Sequence, residues 1–266
     1  MTANASALGN FSDMEDGKNQ NASGAETTDE EKFYDFVEAA AHDLQAPLRK
    51  LSVLIERVFT KNESHFDENA KEYIDRIEAC IGEMRSLIDG FMDLAKSNTL
   101  TTQKGRCDLN DIAREVTQSM REEIEFGKVI VDVQDLPILH GNKIQYAQLF
   151  RNLLENAIKF RKLNTTSRIQ VTAKPSTEQE KELFGLEPKK KYFTIEVCDN
   201  GIGFEQQNAQ KIFEPFVRLH PKSEYTGNGL GLFICKKIVA AHHGIIYAMP
   251  NEKEGARFVL ILPETP

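Results

Sequence analysis

Asn152-Leu153-Leu154-Glu155-Asn156-Ala157-Ile158-Lys159-Phe160 carries two periodicities at once. Asn152, Asn156, Lys159 and Phe160 stand at i, i+4, i+7 and i+8, so a helix places all four on one face. Leu149, Leu153 and Ala157 fall towards a neighbouring side, where they can pack. The polar set suits a metal-bound polyphosphate. Amide oxygens are hard ligands of the kind Mg2+ takes, a Lys ammonium is a point charge for phosphate, and a Phe ring is an apolar plate for a purine. Taken alone, the same stretch is also an ordinary amphipathic helix with its wet face outward.

Two glycine-rich segments downstream change that balance. Thr194–Cys198 alternates like a strand and feeds Asp199-Asn200-Gly201-Ile202-Gly203. An Asp at a strand end, followed by glycines, can accept a hydrogen bond from an adenine amino group while the backbone stays close. It is also common turn chemistry. Gly227-Asn228-Gly229-Leu230-Gly231-Leu232 then opens a helix, and backbone N–H groups at such a start bind phosphate. This loop lacks the Lys-Ser/Thr of a P-loop and the strand-fed fingerprint of a dinucleotide fold. Around these segments the pattern predicts an α/β layer domain over residues 107–266. Its expected helices run from Asp108 to about Phe126, Ile144 to Lys162 and Leu230 to His242. Its expected strands are 129–133, 168–174, 192–198, 245–249 and 256–262, with a charged hairpin insertion at 175–191 and a turn at Asn251–Gly255.

Upstream, residues 98–106 are polar and read as a linker. Residues 32–97 read as two long amphipathic helices joined by a turn at Lys61-Asn62-Glu63-Ser64. Phe33, Val37, Ala40, Leu44, Leu48, Leu51, Ile55 and Val58 recur at three or four in the first; Ala70, Ile74, Ile77, Ile81, Met84, Ile88 and Phe91 do so in the second. One hairpin cannot cover both apolar stripes, so dimerisation into a four-helix bundle is expected. Residues 1–31 hold seven acids against Lys18 and are expected to be a disordered acidic tail or linker.

The whole chain, 266 residues with 33 basic and 41 acidic, carries −8. That charge argues against generic nucleic-acid binding. No stretch reaches the ~18 apolar residues of a membrane span, and no secretory signal is visible. Cys80, Cys107, Cys198 and Cys235 lie far apart without metal spacing, which reads as reduced cytosolic thiols and a cytoplasmic protein.

His42 lies about 200° round the first helix from Leu44, so it is expected to face solvent. Asp43 can hold one ring nitrogen as N–H and leave the other free as a nucleophile. Pro47 removes a backbone hydrogen bond and is expected to bend the helix beside it. A lone surface histidine is most often chemically idle; these two neighbours make it a candidate.

Over residues 32–264 the chain resembles the sensor histidine kinases. His42-Asp43-Leu44-Gln45-Ala46-Pro47-Leu48 is similar to their H box, Asn152–Phe160 to the N box, and Asp199-x-Gly201-x-Gly203 to the first glycine box. Ile212-Phe213-Glu214-Pro215-Phe216 is similar to the F box, and Gly227-x-Gly229-Leu230-Gly231-Leu232 to the second glycine box. The H box and Arg218-Leu219-His220 look most like kinases fed by PAS or phytochrome-type sensors. The resemblance implies a Bergerat-type α/β sandwich binding ATP and Mg2+ after the dimerising hairpin. It implies autophosphorylation on His42, then transfer to the Asp of a response regulator, with a sensor domain or protein upstream. By motif, Asp199 would read adenine and Asn156 would hold Mg2+ with support from Asn152. Lys159 would meet the phosphates and Phe160 would flank the base. Arg218 would steady the γ-phosphate, Asp43 would be the general base, and 204–226 would be the lid. Ala46 stands where many relatives carry Thr or Asn to orient a water, so weak phosphatase activity is expected. The competing readings are a Bergerat-fold ATPase and a non-enzymatic dimeric scaffold.

Overall fold

The structure, a computed structural model, describes residues 26–62, 67–99, 104–162, 165–221, 225, 227–251 and 254–265. Residues 1–25 of the expected tail, 63–64 of the expected turn and 100–103 of the expected linker lie outside the described residues. Residues 26–31 and 61–62, expected as tail and turn, are instead helical.

Two helices, α1 (Glu26–Asn62) and α2 (Glu68–Thr99), form the hairpin. Asp67 opens α2 by accepting the Ala70 N–H at 2.7 Å. Gln45 donates to Asp89 at 3.2 Å and Arg85 to Ser52 at 2.8 Å, so the helices run antiparallel. Ala41, Leu48, Ile81 and Ile88 are buried between them, with Ile55, Phe91 and Met92 against the cluster. A second stripe stays outside: Leu44, Leu51, Leu54 and Val58 on α1, and Tyr73, Ile77 and Met84 on α2, are exposed. Helix α1 continues through Pro47, the position expected to bend it. The lost hydrogen bond costs on the order of 3 kcal/mol, and Ala41 and Leu48, buried on either side, hold the helix in register.

The second layer system starts earlier than its sequence pattern suggests. The linker expected at 98–106 is taken up at both ends, by α2 and by β1 (Gly105–Asp108). The single helix expected after Asp108 is two, α3 (Leu109–Ser119) and α4 (Arg121–Gly127), divided at the buried Met120. Then come β2 (Val129–Val133), β3 (Ile138–Gly141), α5 (Lys143–Lys159), β4 (Ser167–Pro175), α6 (Glu178–Leu183) and β5 (Tyr192–Asp199). Two 3-10 turns (Gln206–Asn208 and Lys211–Phe213) precede α7 (Gly231–Ala241), β6 (Ile245–Pro250) and β7 (Ala256–Pro263). The main sheet has order β2-β4-β5-β7-β6, parallel only between β2 and β4. Alternate residues Ile169/Val171, Ile195/Val197 and Phe258/Leu260/Leu262 face one core. There they meet Leu109, Ile112 and Val116 of α3, Leu149, Leu153 and Ala157 of α5, and Ile234 and Ile238 of α7. β1 and β3 pair separately, Gly105 opposite Gly141.

His242 ties α7 to this core. It is fully buried, its Nε2 accepts the Asn142 N–H at 3.0 Å and its Nδ1 lies 2.8 Å from the Ile238 carbonyl. That pairing requires the neutral ring with its proton on Nδ1. Burial holds its pKa below the ordinary 6.5, against the opposing pull of the Ile238 carbonyl. The unfolded chain therefore takes up the proton at a higher pH than the folded one. Stability is full above pH ~6.5 and is lost as pH falls from there through the folded pKa. Melting temperatures from pH 8 down to 5 are expected to fall more steeply for the wild type than for His242→Gln; parallel curves would contradict this.

Candidate nucleotide-binding site

A cavity of about 590 Å3 opens between α5, the segment after β5, and the glycine loop before α7. Helix α5 begins where the Asn142 side chain accepts the Ile144 and Gln145 N–H groups. Its apolar face is buried, which turns Asn152, Asn156, Lys159 and Phe160 towards the cavity. Asp199, Gly203, Arg218, Gly227, Gly229, Gly231 and Leu232 also line it. Of the residues singled out in the sequence for this pocket, Gly201 and Leu230 do not. Gly201 donates its N–H to Asp199, and Leu230 is buried in the core.

Asp199 is buried at the end of β5. Its Oδ1 accepts the Gly201 N–H at 2.8 Å and the Ala256 N–H at 3.1 Å. Among the described residues nothing bonds its Oδ2. Burial raises its pKa, and the two N–H donors lower it only in part. The carboxylate is thus oriented through one oxygen, and the other can accept from a ligand.

Lys159 and Arg218 bring positive charge to the same cavity. No described carboxylate pairs with either. Burial pushes the Lys159 pKa down, and the Arg218 guanidinium adds to that shift. Two mutually repelling cations in a half-buried cleft favour a polyanion. The Lys159 ammonium lies 4.6 Å from the Phe160 ring centroid. Arg218 also donates to the Tyr225 carbonyl.

Asn152 does something its spacing did not reveal. Its Nδ2 donates to the Gly231 carbonyl at 3.2 Å, tying α5 to the glycine loop. Asn156 Nδ2 is buried without a hydrogen-bond partner. Such an orphan is costly and fits a site whose ligand supplies the missing acceptor. Among the described residues no cluster of His, Cys, Asp and Glu could hold a metal ion by itself. The donor set fits an ion that arrives with phosphates and takes one amide oxygen from the protein, the usual manner of Mg2+.

The glycine loop is shaped by contact. Gly229 has φ +73°, and a Cβ there would stand 2.9 Å from the Phe216 carbonyl carbon and the Val217 oxygen. Phe216 in turn has φ +65° and donates its N–H to the Gly229 carbonyl. Several participants were missed in the sequence. Tyr225 and His220 set their rings 4.9 and 5.8 Å from Phe160. Ala256 and Phe258 of β7 form part of the wall. Gly255, read only as part of a turn, packs its Cα face on the Asp199 carbonyl, and Asn251 donates to that oxygen at 3.2 Å. The run Asn251–Gly255 carried a turn signal but no sign that it braces Asp199.

His42 and Asp43 are not part of this cavity. Both are exposed on α1, at 79% and 86% of their side chains. His42 Nδ1 and Asp43 Oδ1 are 3.6 Å apart, which is proximity and not a hydrogen bond. The solvent-facing position expected for His42 is what α1 gives.

Two family models match the chain. Residues 34–100 match the His Kinase A (phospho-acceptor) domain, and residues 141–266 match the histidine kinase-, DNA gyrase B-, and HSP90-like ATPase family. The chain belongs to the histidine kinase family. The first match carries His42 and the second the whole cavity-lining set. Similar kinases include the phytochrome-like protein Cph1 of Synechocystis sp., 31% identical over 228 residues, which are 86% of this chain and 29% of Cph1. The adaptive-response sensory kinase SasA of Gloeothece citriformis is 27% identical over 256 residues, 90% of this chain and 60% of SasA. The chain thus spans under a third of the one and three-fifths of the other. Among solved structures, full-length ShkA in complex with AMPPNP has TM-score 0.59 at 19% identity, over 86% of this chain and 45% of ShkA. The histidine kinase ThkA in complex with the response regulator protein TrrA has TM-score 0.57 at 19% identity, over 93% of this chain and 69% of that chain. Both are likenesses of fold. No described helix is long and apolar enough to cross a membrane.

Proposed function

We propose that this kinase core binds ATP with Mg2+ in the cavity, phosphorylates His42, and passes the phosphoryl group to an aspartate of a response regulator. The observation that carries the proposal is one cavity holding an oriented buried carboxylate, two unpaired cations and an orphaned amide, on a chain that also presents an exposed histidine beside a carboxylate. Asp199 Oδ2 would accept from the adenine amino group. Phe160 would flank the base. Lys159, Arg218 and the amides of the 227–231 loop would hold the phosphates. Asn156 would hold Mg2+, which when bound neutralises phosphate charge.

A His42 nitrogen then attacks the γ-phosphorus in line. The N–P bond forms as the bond to the bridging oxygen breaks, and ADP leaves with that oxygen. Asp43 would take the imidazole proton. Catalysis is by positioning and charge stabilisation. The cavity must swing to His42, and 98–106 would be the hinge. The unpartnered stripe on α1 and α2 supports a homodimeric four-helix bundle, as do its exposed Leu51, Tyr73 and Ile77. Domains bounded near 32–97 and 107–266, a cytoplasmic location and an upstream sensor complete the reading. Ala46 is exposed two residues past Leu44 and has no group to orient a water, so weak phosphatase activity belongs to the proposal.

Incubation with γ-labelled ATP and Mg2+ tests it. Label that survives alkali and is lost in acid is expected, as for phosphohistidine. Nucleotide binding with no labelled protein would overturn the kinase reading and leave an ATPase or a scaffold, which release of inorganic phosphate would separate.

A further inference from the structure

Helix α2 carries two glycines in like backbone but unlike surroundings. An added Cβ at Gly82 meets nothing within 4 Å. At Gly90 it would collide with Asn228 Nδ2 and stand 2.6 Å from Leu230 Cδ1. Gly90 is buried, and the ring of its neighbour Phe91 meets Phe216 edge-on at 5.7 Å. The hairpin therefore rests directly on the loop that opens α7, with Gly90 as the notch. Asn228, held in that notch, turns its Oδ1 to accept the Leu230 N–H at 3.0 Å. That N–H belongs to the glycine loop, so the notch keeps one loop amide satisfied from within.

We infer that Gly90, on the phospho-acceptor hairpin, is a positioning residue for the nucleotide loop: it seats Asn228 as an internal cap on the Leu230 N–H and thereby weakens nucleotide binding while hairpin and loop are docked. The inference rests on the nucleotide reading of the cavity. A phosphate that takes this N–H must displace Asn228 Oδ1, and the Asn228 amide is packed against Gly90 of α2. Ligand and docked hairpin thus oppose one another, and the coupling is reciprocal.

Gly90→Ala and Gly82→Ala form a matched pair, since each gains the same helix propensity of about 1 kcal/mol. AMPPNP with Mg2+, titrated into the full chain, is expected to bind Gly90→Ala roughly 3- to 10-fold more tightly than wild type, the range of one neutral hydrogen bond. Gly82→Ala is expected to match wild type within about twofold on that scale. Asn228→Ala, which removes the cap itself, is expected to tighten binding similarly, and the Gly90→Ala/Asn228→Ala double variant to go no further than either. A merely structural role for Gly90 would change melting temperature without this shared, non-additive shift. Gly90→Ala no tighter than Gly82→Ala overturns the inference; if Gly90→Ala does not fold, Asn228→Ala binding no tighter than wild type does so. Wild-type protein that fails to bind AMPPNP overturns the nucleotide reading and this inference together.

Discussion

Asp199→Asn is expected to weaken AMPPNP binding by about 10- to 150-fold with the fold intact. The estimate follows from one hydrogen bond to a charged acceptor, worth about 1.5–3 kcal/mol net. Asp199 Oδ1 is committed to the Gly201 and Ala256 N–H groups. An Asn side chain can keep both by turning its oxygen to them. Its NH2 then stands where Oδ2 was, a donor facing a donor. The variant should therefore melt near the wild type while binding poorly, which separates recognition from folding. pH gives a second handle. Burial raises the Asp199 pKa, so wild-type affinity should decline on acidification before an ordinary Asp, near 3.9, would titrate. Asp199→Asn should lack that acid limb. Equal affinities of wild type and Asp199→Asn would remove Asp199 from base recognition.

The lining of the cavity was largely legible because its pattern is local. On α5 one face is buried and the adjoining face lines the cavity, so a single nine-residue stretch carries both the packed face and the cavity face. Asp199 and the 227–231 loop stand where a strand ends and a helix begins, points that glycines mark. The parts that escaped are those made by distant partners. β1 is four residues, Gly-Arg-Cys-Asp, with no alternation of its own, and it is a strand because β3 lies opposite. The break at Met120 is not announced by its residue type either, since Met is a good helix former; Ser119 Oγ bonds the Val116 carbonyl there and Met120 is buried in the core. Gly255 and Asn251 brace Asp199 from more than fifty residues away, and no spacing rule reaches that far. Gly90 was invisible for the same reason. In sequence it is a weak spot in an amphipathic helix, and only the glycine loop resting on it gives it a purpose.

His42→Gln should abolish phosphate incorporation and leave AMPPNP affinity unchanged within about twofold. The stability of the variant should lie within ±0.5 kcal/mol of wild type, because the replaced side chain is exposed and Gln is a good helix former. Affinity should hold because His42 is not among the residues lining the cavity. Loss of label should be complete, since no other described histidine offers the same combination. His242 is buried with both ring nitrogens engaged. His220 sits in the cavity wall against Phe160 and Tyr225. His140 and His243 are exposed on the α/β layer. Labelling with γ-labelled ATP, followed by acid and alkali treatment, reads the outcome. Alkali-stable, acid-labile label persisting in His42→Gln would place the acceptor elsewhere. Unlabelled His42→Gln with intact binding would mean that the cavity and the acceptor are separable parts, as an exposed imidazole on one helix and a polyanion cleft on another layer require.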